Sequence, residues 1–283
     1  MHLKYRKVGK RMKIAVAIVH GMGSQQAGFS KDLQVGIAKH YQQLGLSWDD
    51  LIFSEVLWAD LLIATQQRLM QRVNYRNDLN YLTFRQFFTT YLGDVIAFQP
   101  GCDDESQQQP MRDQIFKRVT SSLNAFLSID GCDANSTPLV VIAHSLGSII
   151  AFDYLWQHQR HQKPSQFECG NTLAGFMTLG SPLALWATRY QNFGNPFAFP
   201  GEQLPEPIQT QSRWLNFYDK DDVIAYPLKG LNPAYNEAVS EDIAVNIGNP
   251  LQFWNPLSHS AYWQDGDIHQ AIAAFLATLS RVS

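Results

Sequence analysis

The serine at residue 145 lies between two apolar runs, at 139–142 and 149–152, and this arrangement constrains the fold most strongly. The two runs predict a strand followed by a helix, with Ser145 on the tight turn between them. Ala143 and Gly147 flank the serine at positions where bulk would collide as strand and helix close on each other. A serine held clear of the backbone on such a turn is suited to act as a nucleophile. Capping of the helix N-terminus is the alternative role for this side chain.

A glycine-containing loop follows the first predicted strand, at residues 14–19, and reads His20, Gly21, Met22, Gly23. An oxyanion that forms on an acyl carbon needs preorganised N–H donors. The backbone N–H groups of Met22 and of Leu146, directly after the serine, are the candidate donors. A phosphate-binding loop is disfavoured because no Lys-Ser or Lys-Thr pair follows the glycines. An ordinary strand-to-helix loop is the alternative.

An acid-rich turn and a histidine follow Ser145 along the chain, in the order serine, acid, histidine. Residues 213–218 predict a strand that leads into the turn, and His259 lies in a predicted loop before a helix. A histidine in a loop can direct its ring toward the serine as a general base. The acidic residues of the turn are Asp219, Asp221 and Asp222. This chain order is the one found in one of the known hydrolase folds.

With these residues the chain resembles the α/β-hydrolase superfamily, in particular bacterial lipase-like and esterase-like serine hydrolases with an HGxG loop and an Ala-His-Ser-Leu-Gly nucleophile turn. The likeness spans most of the chain and covers residues 14–19, 143–147, 178–182, 222–225 and 259–263. The resemblance implies that Ser145 is the nucleophile, His259 the base and Asp222 the orienting acid. It also implies an oxyanion hole formed by the N–H groups of Met22 and Leu146, with no cofactor and no metal.

The choice among the three acids rests on the register of the turn. In related sequences the acid is followed by one residue, then Val or Ile, then Ala or Pro, and Asp222 fits that register through Ile224 and Ala225. Asp221 is the alternative acid. Asp219 is expected instead to accept a backbone N–H within an Asx-type turn.

The resemblance implies hydrolysis of carboxylic esters through an acyl-enzyme, with a small-molecule or lipid-like ester as substrate. Acyl transfer and thioester or amide hydrolysis use the same constellation, so these activities remain alternatives. A non-catalytic binding protein of the same fold is a further alternative. No substrate-binding residues are predicted, and the oligomeric state is left open.

The chain of 283 residues, 45% of them hydrophobic, predicts a single α/β domain over 1–283. We expect a mostly parallel sheet of about six to seven strands with helices on both faces. Nothing before residue 14 is long enough for two further strands, so the sheet is expected to be trimmed relative to the family. Further predicted strands lie near 51–57 and 173–179, and predicted helices near 31–43 and 60–73.

Candidate cap or lid insertions cover 60–130, before the nucleophile strand, and 187–211. The first contains an aromatic stripe within 79–98, spaced mostly at three or four residues as on one helix face. Such a stripe is more often core than ligand site, although an aromatic-lined cap would favour apolar acyl groups.

Charge and composition exclude several partners and compartments. The net charge of −3, without a basic stripe, argues against a nucleic-acid partner. The three cysteines show no close pairing, which favours a reducing compartment and a cytoplasmic location. No apolar run approaches the ~18 residues of a membrane span, while the basic residues within 1–13 leave a peripheral contact with an anionic surface open.

The other histidines are assigned structural roles. His158 and His161 are expected to be solvated, because they lie in a Gln-rich helix tail without the further ligands of a zinc site. His144 precedes the serine directly, so its side chain is expected to point away and to serve in packing. His20 is expected to stabilise its own loop by hydrogen bonding.

Overall fold

A parallel sheet forms the centre of the molecule. The computed structural model describes residues 12–21, 25–74, 93–98, 111–160, 167–247 and 258–282. Within that part of the chain the sheet has six strands, all parallel, in the order β2-β1-β3-β4-β5-β6. The strands are β1 Ile14–Val19, β2 Leu51–Val56, β3 Leu139–His144, β4 Leu173–Leu179, β5 Arg213–Asp219 and β6 Glu241–Val245.

Helices cover both faces of the sheet. Their bounds are α1 Lys31–Gln43, α2 Asp60–Asn74, α4 Met111–Ala125, α5 Leu146–Arg160, α6 Leu183–Ala187, α7 Glu206–Gln211, α8 Pro233–Ala238 and α9 Gly266–Arg281, and helix α3 is described over 93–98. Short 3-10 turns lie at Trp48–Asp50, Phe126–Ser128, Gln191–Phe193 and Ser258–Gln264. The predicted α/β class, the parallel sheet and the helices on both faces are therefore confirmed.

The alternation of side chains along β1 explains why its sequence is continuously apolar. Ile14, Val16 and Ile18 belong to a core cluster shared with α1 and α9. Ala15, Ala17 and Val19 belong to a second cluster shared with α4 and α5. Because side chains alternate between faces and both faces are covered, every residue of the strand is buried.

The sheet reverses its order between β1 and β3. From β1 the chain continues to β2 on one side, and from β3 it continues outward on the other side through β4, β5 and β6. In open α/β sheets, ligands bind at the carboxyl ends of the strands beside such a switch point. The residues at that position here are His20, which follows β1, and Ser145, which follows β3.

The two predicted insertions stay predictions, and residues 75–92 and 99–110 of the first lie outside the described residues. Helix α4 packs on the sheet beside α5, since its Ile115 and Val119 are buried in the core, so this part of 60–130 belongs to the helix layer. Of the aromatic stripe, Phe98 is described, and it is buried against Phe116 and Trp186. Within 187–211, Phe197 stacks on Trp214 with 5.3 Å between ring centroids.

Among the described residues no helix has both the length and the apolar character needed to cross a membrane.

Candidate active site

Ser145 occupies the turn that the sequence predicts. Strand β3 ends at His144 and α5 begins at Leu146, so the serine is the single residue between them. Its φ of +52° lies in the left-handed region, which non-glycine residues seldom adopt. The Ser145 N–H donates to the carbonyl of Leu179 on β4 at 2.9 Å, which fixes the turn to the neighbouring strand. Strained backbone of this kind is concentrated at functional sites.

The turn needs glycine at two positions because backbones approach closely there. A Cβ on Gly147 would lie 2.3 Å from the His20 carbonyl oxygen and 2.6 Å from that of Val19. A Cβ on Gly21 would lie 2.6 Å from the Ser145 Cβ. The start of α5 and the loop after β1 can therefore touch only because these residues lack side chains.

Two buried hydroxyl groups, those of Ser148 and Ser181, form a chain of hydrogen bonds that ends at the Ser145 carbonyl. Ser148 Oγ donates to the Ser145 carbonyl at 2.6 Å and lies 2.6 Å from Ser181 Oγ. Since the Ser148 proton is already used, Ser181 donates to Ser148 and in turn accepts the Leu183 N–H at 3.2 Å. This chain of hydrogen bonds, which we call the hydroxyl chain, links the turn after β4 to the turn after β3.

His259 and Asp222 lie beside the Ser145 hydroxyl in a line of hydrogen bonds. His259 Nε2 is 2.6 Å from Ser145 Oγ, and His259 Nδ1 is 2.7 Å from Asp222 Oδ2. All three residues are largely buried. The carboxylate can only accept, so Nδ1 carries the proton and Nε2 of the neutral ring accepts from the serine hydroxyl. The imidazole thus has the tautomer that a general base for Ser145 requires.

The Asp222 carboxylate is fixed by three donors. Oδ2 accepts from His259 and from the Tyr262 hydroxyl at 3.0 Å, and Oδ1 accepts the Ile224 N–H at 3.0 Å. Burial alone would raise the pKa of Asp222, but the hydrogen bonds and the charge of His259 together hold this pKa below its usual value. The group is therefore an anion over the whole neutral range.

The two other acids of the turn have different positions. Asp219 Oδ1 accepts the Asp221 N–H at 2.8 Å, which is the Asx-type turn predicted for it, and Oδ2 accepts the Ile247 N–H. Asp221 is exposed. Of the three carboxylates, that of Asp222 is the one hydrogen-bonded to His259.

His144 supports the backbone of His259. Its Nε2 is 2.7 Å from the His259 carbonyl oxygen, so Nε2 carries the proton and donates. Complete burial, with His259 nearby, lowers the pKa of His144 to about 3, which keeps the ring neutral. The ring centroids of the two histidines are 4.9 Å apart. The packing role predicted for His144 is confirmed.

His20 stabilises its loop through both ring nitrogens, as predicted. Nδ1 donates to the Gly21 carbonyl at 2.7 Å, and Nε2 accepts the Trp58 N–H at 3.2 Å. The Trp58 indole donates to the His20 carbonyl at 3.1 Å and stacks on the imidazole with 4.9 Å between centroids. Burial lowers the pKa of His20 to about 4, so this ring is neutral as well.

Of the two predicted oxyanion donors, Leu146 lies within the described residues and Met22 does not. Leu146 is the first residue of α5, where N–H groups have no acceptor within the helix, and it directly follows Ser145. Its N–H and the positive end of the helix dipole are suited to a developing negative charge. Met22 lies outside the described residues and stays a prediction, although His20 and Gly21 bring the chain to within contact of Ser145.

One histidine prediction was wrong. His158 is only 4% exposed, its Nδ1 hydrogen-bonds the Tyr154 carbonyl at 2.8 Å, and its ring stacks on Tyr154 with 3.9 Å between centroids. His158 lies one helical turn after the buried Tyr154 and therefore faces the core, although glutamines surround it in the sequence. His161 lies outside the described residues.

Sequence analysis missed Tyr262, Ser148 and Ser181 as parts of this site. Each acts through hydrogen bonds to residues that are distant in sequence or through the main chain, so no local motif marks it. No group of three or more His, Cys, Asp or Glu side chains suited to a metal ion occurs in the described ranges.

A scan against models of protein families and a search of curated proteins gave no match to this chain.

Proposed function

We propose that this protein is a serine hydrolase of the α/β-hydrolase class that cleaves carboxylic esters through a covalent acyl-enzyme. The observation that carries the proposal is the line of hydrogen bonds from Ser145 Oγ through His259 to Asp222, with both distances below 3 Å. A general base must lie within about 3.2 Å of the proton that it removes, and His259 meets this condition.

The proposed reaction begins when Ser145 Oγ attacks the ester carbonyl carbon and its proton passes to His259 Nε2. The carbonyl oxygen becomes an oxyanion, stabilised by the Leu146 N–H and, as proposed from the resemblance, by that of Met22. His259 then protonates the departing alkoxide, which leaves as the alcohol. Asp222 stays ionised throughout and stabilises the imidazolium.

Deacylation repeats these steps with water. His259 removes a proton from a water molecule, the resulting hydroxide attacks the acyl carbon, and Ser145 leaves with the proton returned from Nε2. The products are a carboxylic acid and the free serine hydroxyl.

A fluorophosphonate probe tests the nucleophile directly. We expect the native protein to be labelled, the Ser145→Ala variant to lose all labelling, and His259→Ala to lose nearly all of it. Ser212→Ala is the matched control, because Ser212 is also a buried serine but lies at the amino end of β5. Failure of the well-folded native protein to react would reject the proposal and favour a non-catalytic binding protein.

The acyl group and the leaving group are tested with p-nitrophenyl esters from acetate to palmitate, and with the thioester and amide of the preferred acid. We propose a small-molecule or lipid-like ester as substrate. Faster turnover of the thioester, the amide or an added alcohol acceptor would transfer the assignment to a thioesterase, amidase or acyltransferase.

We also propose a cytoplasmic location. The three cysteines show no close pairing in the sequence, as expected in a reducing compartment. Fractionation of cells that express the full chain tests this location.

A further inference from the structure

We propose that Tyr262 is a positioning residue that holds the Asp222 carboxylate in line with His259, a role that rests on the proposed function. Tyr262 acts through the carboxylate, and its hydroxyl is the side-chain donor to Asp222 besides His259 among the described residues.

The hydroxyl of Tyr262 has a fixed orientation. It accepts the Asp219 N–H at 3.0 Å and lies 3.0 Å from Asp222 Oδ2. An N–H group can only donate and an ionised carboxylate can only accept, so the tyrosine proton points at Asp222. The side chain is fully buried, which strengthens this hydrogen bond and excludes water as a substitute donor.

The tyrosine controls the oxygen that contacts the base. Asp222 Oδ1 is held by its own turn through the Ile224 N–H, whereas Oδ2 is shared by Tyr262 and His259. Without the tyrosine hydroxyl, Oδ2 would be restrained by His259 alone, which is the group that it has to orient.

His259 and Tyr262 belong to one short element, the 3-10 turn Ser258–Gln264. A 3-10 helix has three residues per turn, so residues three apart lie on the same face. The base and the donor that positions its acid therefore reach Asp222 from one short piece of backbone. A shift of this turn would move both together and would preserve their geometry relative to each other.

The ring of Tyr262 is itself immobilised. A Cβ on Gly180 would lie 2.8 Å from the tyrosine ring, so the ring packs directly on the glycine backbone after β4. The centroid of the His144 ring is 5.7 Å from that of the tyrosine ring. A positioning role requires a fixed ring, because a hydroxyl that moved with the Asp222 carboxylate could not restrain the rotation of that carboxylate.

Removal of the hydroxyl tests the inference. In Tyr262→Phe we expect kcat for ester hydrolysis to fall about tenfold, the effect of one charge-assisted hydrogen bond, with KM changed less than about twofold. Tyr154→Phe is the matched control, since Tyr154 is equally buried and its hydroxyl is hydrogen-bonded to Thr120 at 2.7 Å in the core. Equal losses of kcat in the two variants would overturn the inference.

A double-mutant cycle separates positioning from general destabilisation. If Tyr262 acts through Asp222, then Tyr262→Phe added to Asp222→Asn lowers kcat no further than Asp222→Asn alone, within about twofold. A full additional tenfold loss in the double variant would contradict the proposal.

A spectroscopic measurement keeps the test independent of activity. The Nδ1 proton of buried His259, assigned by NMR on protein with labelled histidine, should shift in Tyr262→Phe and stay in place in Tyr154→Phe. 3-Fluorotyrosine at position 262 keeps the ring and is a stronger hydrogen-bond donor, so it should shift the His259 Nδ1 resonance in the opposite direction. This substitution provides the measurement if Tyr262→Phe does not fold. An unmoved resonance overturns the positioning role, whereas a moved resonance in a protein without esterase activity rejects only the proposed function.

Discussion

The backbone of Ser145 is held in a costly conformation by contacts from several directions. A non-glycine residue in the left-handed region costs roughly 1–3 kcal/mol and persists only where its surroundings determine it. Here the N–H is bonded to the Leu179 carbonyl, and the carbonyl of Ser145 accepts from Ser148 in the hydroxyl chain. The strain places Oγ at the carboxyl end of the sheet, where His259 can reach it.

Asp222 is hydrogen-bonded to His259, whereas its neighbour Asp221 is exposed, so the same substitution at the two positions allows a matched comparison of kcat. We expect Asp222→Asn to lower kcat by about 10³–10⁴-fold, because the amide no longer selects the imidazole tautomer that accepts the serine proton. Asp221→Asn should change kcat by less than about twofold, since Asp221 is exposed and contributes to the turn through its N–H. Steady-state kinetics on a p-nitrophenyl ester provide the measurement, and the reverse order of the two losses would make Asp221 the acid.

The two buried neutral histidines predict how stability depends on pH. Folding holds the pKa of His20 at about 4 and that of His144 at about 3, whereas both have ordinary values near 6.5 in the unfolded chain. The unfolded state therefore binds more protons below pH 6.5, and the free energy of unfolding falls as the pH drops from 6.5 toward 4. Each unit of pKa shift is worth about 1.4 kcal/mol, so the loss amounts to several kcal/mol.

Urea denaturation between pH 7.5 and 4.5 measures this dependence. The His20→Gln variant should show a smaller decrease than the native chain, because one of the two titrating rings is absent. A stability that is constant down to pH 5 would mean that these rings are not buried in the neutral form.

At the scale of elements, the crossing of α5 over the end of β1 requires that Gly147 has no side chain. Gly147→Ala should lower the free energy of unfolding by about 3 kcal/mol, because its Cβ would collide with backbone, which cannot rotate away. Gly266→Ala, also at the start of a helix, should have little effect, since nothing lies within 4 Å of the added Cβ. Chemical denaturation of both variants measures the difference, and equal stabilities would refute this account of the crossing.

Five of the six strands were predictable from their apolar residues. Burial along the whole length of β1, β3 and β4 imposes a nearly continuous apolar run, whereas β2 and β5 combine buried residues with partly exposed ones. The sixth, β6, was not placed, since its sequence begins with Glu241 and Asp242 and no residue of the strand is fully buried. It forms one edge of the sheet, where Asp242 accepts N–H groups from Leu228 and Lys229. Its apolar residues, 243–245, form a run too short to indicate a strand.

The residues of the candidate site were predictable to the extent that a local motif marks them. Ser145 could be placed because strand, turn and helix are adjacent in sequence. The contact of Asp222 with Tyr262 spans 40 residues, and that of Ser148 with Ser181 spans 33. Such contacts are created by the order of strands in the sheet, which a single sequence does not specify.

At the scale of the whole molecule, one buried carboxylate connects three separate segments. Asp153 on α5 pairs with Arg112 on α4 at 3.3 Å and with Arg189 after α6 at 2.8 Å, and it accepts the Trp186 indole N–H at 3.1 Å. Both guanidinium groups also lie over aromatic rings, Arg112 over Phe116 and Arg189 over Trp186. The helix that directly follows the candidate nucleophile is thereby attached to α4 and to the segment after β4.

A substitution that removes the charge of Asp153 but keeps its shape tests how much this arrangement contributes to the free energy of unfolding. Asp153→Asn should lower the free energy of unfolding by about 3 kcal/mol, because two largely buried guanidinium groups lose their counter-charge and the new amide N–H faces one of them. Asp60→Asn is the control, since Asp60 pairs with Arg118 at a site where both side chains are nearly half exposed, and such pairs contribute less than about 1 kcal/mol. Urea denaturation with and without 1 M salt, a concentration that screens exposed charges over about 3 Å, should leave the Asp153 effect largely intact. A loss at Asp153 no larger than that at Asp60 would show that aromatic packing, not the ion pairs, holds these segments together.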